Sequence, residues 1–374
     1  MEPVPEHRQL KLSDAAAGGG EDRLSALPDD LLIHILLKLR DAPVAARASV
    51  LARRWRRVWA LLPELHFPFG TDPDGIRAAL AAHDAPALRH LFVDAIEGEA
   101  APESAAAWLP IAAGRLSGVL HLHLQNWLNM YGVSAAASPL KLPCFQNATE
   151  MILDLGLTGL TLPPSGVFTR LTDLWLRDIQ LHGSCSLSDV VSSRRSPSLQ
   201  HLSLCRVSGL DNFTIHSESL VKLELRDLSL QQLNVVALVL QTLLVCNCFT
   251  NIQSQPVANI SAPQLVTLDW RSFYDPSSIL LDEMPHLQQL TTNPLFAYGP
   301  DVISTENRHC SMLLQHFDHI SRLYLSLIYP RMSIECDNGF LIEDMTKFPN
   351  ITSLALLVMA CGHSFGASLF HVRA

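Results

Sequence analysis

The sequence predicts an α/β chain in which three short helices precede an irregular solenoid with a curved parallel sheet. Three observations predict it. From residue 88 onward a short pattern, L-x-x-L-x-L, recurs along the chain. Ahead of it, residues 22–66 carry apolar side chains at helical spacing, punctuated by prolines. The chain has 374 residues, 48% of them hydrophobic, which is too long for one ordinary core and apolar enough to bury a large one.

Residues 1–21 are rich in Pro, Ala, Gly and charge and read as a flexible tail. In residues 22–66 the first helix runs through LPDDLLIHILLKLRD. There Leu31, Leu32, Ile35, Leu36 and Leu39 share one broad face. Pro28 suits its first turn, and Asp29 and Asp30 complement the positive end of the helix dipole. Pro43 separates a second helix. A third follows in LARRWRRVWALLPEL, where Leu51, Trp55, Val58, Trp59 and Leu62 form a stripe and arginines cover the rest. So few residues cannot bury three such faces alone. The unit must lean on its C-terminal neighbour or on a partner protein.

Residues 67–115 connect and cap, supplying a first repeat strand at LRHLFV and a helix. The solenoid proper is expected over 116–374. Clear copies of the pattern begin at Leu171, Leu199, Leu220, Leu240, Leu265, Leu287, Ile320 and Ile351, with weaker ones at GVLHLHL and TEMILDL. Several spacings fall in the leucine-rich-repeat range of roughly 20–29 residues. Alternation within each copy means a short strand with one buried face, and stacking buries what no single unit can. Short helices are expected on the other side, near SLSDVVSS and SMLLQHFDHI. Position 9, where such repeats often carry Asn or Cys, holds Ile179, Val207, Leu228, Cys248 and Phe273; only Cys248 fits, so the solenoid is irregular.

Several function classes are disfavoured. Net charge is −9, and the acidic excess lies beyond the first 70 residues, a sign that repels a phosphate backbone; no nucleic-acid partner is expected. No apolar run is long enough to span a membrane, and the N-terminus has no export signal. The eight cysteines include no CxxC pair and read as reduced thiols of the cytoplasm and/or nucleus. His121 and His123 share a strand face, as do Cys246 and Cys248, but nothing completes a metal set. No GxSxG, P-loop or HExxH motif occurs, so neither catalytic residues nor a cofactor are expected. The RRWRR run fits a nuclear localisation signal, a solvated helix face or an electrostatic contact with an acidic partner.

The segment DRLSALPDDLLIHILLKLRDAPVAARASVLARRWRRVWALLPEL resembles the plant F-box. The matching residues are Leu27-Pro28, the run Leu31 to Leu39, Val50-Leu51, and Arg54-Trp55-Arg56 with Trp59; Ala52 departs from the usual Ser. The remainder is similar to the grass family of F-box leucine-rich-repeat proteins, in segments such as YDPSSILLDEMPHLQQL and GHSFGASLFHV. Members of that family continue into further repeats and an FBD-like tail, so a chain ending at Ala374 reads as a short member.

The resemblance implies an SCF-type ubiquitin ligase. The F-box would dock on a Skp-family adaptor, reaching cullin and RING subunits through it, and the repeats would present a target protein. The adaptor-binding residues it implies are Leu27, Pro28, Leu31, Leu32, Ile35, Leu36, Val50, Leu51, Trp55 and Trp59. The alternative is a binding scaffold whose F-box is not docked. For the target, positions 3, 5 and 7 of each repeat point to the open sheet face. Arg177, Arg226 and Arg271 recur at position 7, with Trp175 and Tyr324 at position 5. This column either contacts an acidic or phosphorylated target or pairs internally with Glu224 and Asp269.

Overall fold

The structure, a computed structural model, describes residues 27–48, 53–94, 101–124, 138–249, 255–297, 301–329 and 349–360. The tail at 1–21, and Val50 and Leu51, lie outside the described residues. Helices α1 (Asp29–Lys38), α2 (Ala42–Ala48) and α3 (Arg53–Ala60) form the N-terminal unit. Arg54 of α3 clamps the start of α1: its Nε donates to Asp29 Oδ1 at 2.8 Å and its guanidinium to the Leu27 carbonyl. Asp41 accepts from the Val44 amide at 2.8 Å and starts α2. The Trp59 indole donates to the Ala42 carbonyl, tying α3 to α2.

The sheet opens with β1 (Glu64–Phe67), crosses α4 (Pro73–Ala82) to β2 (Leu88–Asp94), then α5 (Ala101–Arg115) to β3 (Leu116–His123). It continues through β4 (Leu140–Lys141), β5 (Glu150–Thr161) and β6 (Asp173–His182). After α6 (Leu187–Val190) come β7 (His201–Ser208), β8 (Asn212–Ser217), β9 (Lys222–Arg226) and β10 (Gln232–Ala237). Next are β11 (Thr242–Cys246), β12 (Val257–Ser261), β13 (Thr267–Arg271), β14 (Ile279–Leu281), β15 (Gln289–Thr292) and β16 (Leu295–Phe296). Helix α7 (Asp301–His316), β17 (His319–Ile328) and β18 (Asn350–Met359) complete the described elements.

Among the described residues the main sheet runs β1-β2-β3-β5-β6-β7-β9-β11-β13-β15-β17, with β18 beyond β17, and every pair is parallel. It is open, as a solenoid requires. The pattern explains it: repeat leucines at positions 1, 4 and 6, such as Leu171, Leu174 and Leu176, are buried, and positions 3, 5 and 7 face outward. Burying one such leucine contributes about 2 kcal/mol at most.

Three features differ from the sequence expectation. The sheet begins at Glu64, inside the stretch assigned to the helical unit, because Leu65 and Phe67 alternate inward and pair with β2. Between α6 and α7 the back of the solenoid carries strands rather than helices: β8, β10, β12 and β14 form a second parallel sheet. Repeats of about 20 residues leave room there for a strand and not a helix. The turn residue stands at position 8, not 9. Asp178, Arg206, Asp227 and Asn247 all take a left-handed backbone near φ +51°. Asp and Asn tolerate this conformation. The kink sends position 9 inward, so Ile179, Val207, Leu228 and Cys248 are core. Position 8 residues also join neighbouring repeats: Arg206 makes a two-point contact with Asp178, and Asn247 donates to Asp227.

His83 lies where the helical unit meets the sheet. It is fully buried, bonded through Nε2 to the Leu62 carbonyl at 2.7 Å. Burial pushes its pKa below the ordinary 6.5; Arg115 adds to this, while the Leu62 bond and Asp84 oppose it. The neutral folded form therefore stabilises the junction fully above pH 6.5 and loses that contribution as pH falls toward the lowered folded value. Thermal midpoints are expected to drop between pH 7.5 and 5.5, and less steeply in His83→Gln, which keeps a donor but takes up no proton. An identical pH slope in the variant contradicts this.

Candidate functional site

Two surfaces are open. The first is the outer face of α1. Leu31, Ile35 and Leu39 lie one helical turn apart and are 49%, 37% and 45% exposed, with Pro28 exposed at the helix start. Val44 and Leu61 are exposed apolar residues as well. The structure divides the ten residues that the F-box resemblance implied. Pro28, Leu31 and Ile35 are at the surface, and Leu27 is half-buried. Leu32, Leu36, Trp55 and Trp59 are buried against the chain's own core. They pack beneath the exposed ridge. The arginine run is partly spent internally, since Arg54 and Arg57 both reach Asp29.

The second surface is the outward face of the main sheet. Arg177, Cys205, Arg226, Cys246 and Arg271 occupy successive register positions from β6 to β13. The arginines alternate with cysteines and so stand roughly 10 Å apart. Arg271 forms a two-point pair with Asp269 on its own strand, at 2.7 and 2.5 Å. This pairing and the Asp269 hydrogen bond raise its pKa further. Arg226 sits 3.8 Å from Glu224, which Lys222 holds at 2.7 Å. Arg177 has no carboxylate within ion-pair distance among the described residues. Trp175 beside it is exposed. Tyr324 is exposed too but six strands further on, roughly 29 Å away, so it does not join Trp175 in one site.

Trp175 and Arg177 line a depression of about 160 Å³ with His121, Ile152, Asp154 and Ser203. Burial raises the Asp154 pKa, against the opposing effects of His123 and Arg177. A larger hollow of about 340 Å³ lies between α1–α2 and the first strands, lined by Leu37, Arg40, Leu62, His66 and Phe92 among others. Sequence reasoning did not join His66 and Phe92 to the face. Their place follows from strand register, which no local pattern reveals.

Among the described residues no group of three or more His, Cys, Asp or Glu is placed to hold a metal. None of their helices is long and apolar enough to cross a membrane. The six described cysteines are free, and burial pushes Cys248 and Cys310 up to about 12.

Comparison with known proteins gives the following. A family model described as "FBD-associated F-box protein At5g56370, LRR repeats" matches residues 105–277. The F-box/FBD/LRR-repeat protein At4g03220 of Arabidopsis thaliana is 28% identical over 349 residues, 90% of this chain and 68% of the relative. Two further relatives from that plant are similar. At2g04230 is 30% identical over 56% of this chain and 48% of its own length. At3g49030 is 29% identical over 58% and 49%. The chain thus spans about two thirds of the first relative and about half of the other two. No solved structure matches. A helical unit ahead of a parallel repeat sheet, a repeat model over its middle and several relatives of one description point the same way: the chain is similar to the F-box/FBD/LRR-repeat proteins.

Proposed function

We propose that this chain is the substrate-recognition subunit of an SCF-type ubiquitin ligase. Its helical unit docks on a Skp-family adaptor, through which cullin and RING subunits are reached, and its sheet face holds a target protein. The chain is a non-catalytic adaptor in this reading, working in the cytoplasm and/or nucleus. The observation that carries it is the α1 ridge. Three large apolar side chains on one helix face remain in solvent while their neighbours Leu32 and Leu36 are fully packed. Such anchors contribute about 2 kcal/mol each when a partner buries them.

On the sheet face, the internal pairs of Arg271 and Arg226 assign these two to holding neighbouring side chains in place. Trp175 remains as the exposed anchor available to a target, with Arg177 beside it. Affinity capture with the intact protein tests the reading. Co-purification with a Skp-family adaptor and a cullin supports it. Folded protein that captures neither overturns it and leaves a binding scaffold with an undocked F-box.

A further inference from the structure

The first five strands of the sheet face carry a column of four rings and one isoleucine. Register places His66, Phe92, His121, Ile152 and Trp175 side by side across β1, β2, β3, β5 and β6. The rings touch in sequence: His66 to Phe92 at 5.7 Å and Phe92 to His121 at 5.9 Å between centroids. The column spans roughly 19 Å. Both hollows open on it, one bounded by His66 and Phe92, the other by His121, Ile152 and Trp175.

The charges beside this column are mostly negative. Glu64, Glu150 and Asp173 flank it on one side; Asp94 and Asp154 flank it on the other, where Arg177 is the one arginine or lysine of that flank among the described residues. At the rim of the larger hollow, Arg40 and Asp41 offset one another. Three of the carboxylates rest against imidazoles: Asp94 on His66 at 3.0 Å, Glu64 on His90 at 3.0 Å, and Asp173 on His201 at 2.5 Å. These contacts orient the carboxylates along the column. Faces of rings framed by carboxylates attract ammonium and guanidinium groups, through the ring quadrupole and through Coulomb attraction alike.

We propose that this β1–β6 face is the target-docking surface, and that its occupant is an extended, lysine- or arginine-bearing segment of a partner protein laid across the strands. Its basic side chains lie over the rings between the carboxylate columns, and its apolar side chains enter the two hollows. Arg177 marks the end of the track and repels further basic residues. This inference rests on the target-binding half of the proposed function and reverses the sign of the target that the arginine column alone suggested.

The test uses the full chain and two labelled peptides of about a dozen residues, one alternating lysine with leucine and serine, the other with glutamate in place of lysine. The lysine peptide is expected to bind, and to bind at least about tenfold more weakly to the double variant Asp94→Lys, Glu150→Lys. A control pair with the same charge change off the face, Glu218→Lys, Glu283→Lys, is expected to bind nearly as the wild type. Trp175→Ala is expected to weaken binding without a charge change. The inference is overturned by preference for the glutamate peptide, by equal loss in the control pair, or by no binding of the lysine peptide. Adaptor capture measured on the same preparations is expected to be equal in all variants. Failure of the docking inference and failure of the ligase reading therefore register separately.

Discussion

The double substitution Leu31→Asp, Ile35→Asp is expected to abolish capture of a Skp-family adaptor while leaving the fold intact. Both side chains are solvent-exposed, so the free protein loses little: surface changes of this kind cost within about 0.5 kcal/mol. In a complex each would bury a carboxylate in an apolar contact and forfeit an anchor of about 2 kcal/mol, a loss of roughly a thousandfold or more for the pair. The choice of residues matters. Trp55 and Leu32 belong to the core, and Trp55→Ala would open a cavity costing about 3–5 kcal/mol. A loss of capture with that variant would report unfolding of the helical unit as readily as a lost contact. Capture is to be measured beside far-ultraviolet circular dichroism and thermal midpoints. Unchanged capture with the folded double variant removes the ridge from the interface.

Arg195→Met is expected to cost about 3 kcal/mol of stability. The Arg195 guanidinium is nearly buried and makes three directed contacts to oxygen and a longer one to Cys185 Sγ at 3.5 Å. Its Nε donates to the Gly166 carbonyl at 2.9 Å, one terminal nitrogen to the Pro163 carbonyl at 2.9 Å, and the other to Asp189 at 3.1 Å. Its own carbonyl accepts from the Phe168 amide. The Asp189 carboxylate is half exposed, so the two carbonyls supply most of the effect. Removing the fork leaves the Gly166 carbonyl without its side-chain donor and the Pro163 carbonyl with only the weak Cys185 thiol at 3.4 Å, and frees the loop before Phe168 from α6. That loop admits no easy rearrangement: Gly166 holds φ +102°, and a Cβ there would meet Cys144 Sγ at 2.7 Å. Arg195→Lys is expected to recover only part, because one ammonium cannot reach all three acceptors. The shift in urea midpoint decides it. A loss below about 0.5 kcal/mol in Arg195→Met contradicts the clamp.

The leucines at positions 1, 4 and 6 were legible because burial of one strand face leaves a period of two in the sequence, and the strands beginning near Leu171, Leu199 and Leu220 lie where that pattern puts them. The α1 face was legible as a stripe, but not its division. Helical spacing groups Leu31 with Leu32; only packing against α3 decides that Leu32 turns inward and Leu31 stays out. The second sheet was hidden because NFTIHS and QLNVVA are short, carry polar residues and sit among turn signals. The left-handed corners were not legible at position 9, the usual Asn or Cys place, because Asp178, Asp227 and Asn247 stand one place earlier. The pairing of Arg271 with Asp269 was one of two alternatives open to a strand that places them on the same face. The ring column and the Arg195 clamp join residues some 6 to 32 positions apart or more, and only the folded register brings them together.

The proposed function divides the molecule between two partners, the α1 ridge for the ligase and the sheet face for the target. Hydrogen–deuterium exchange of the chain alone and bound to a Skp-family adaptor tests it most directly. The account predicts new protection in the helical unit, centred on residues 28–39, and none across β6 to β13. Protection spread over the sheet strands, with α1 exchanging as in the free chain, would contradict it.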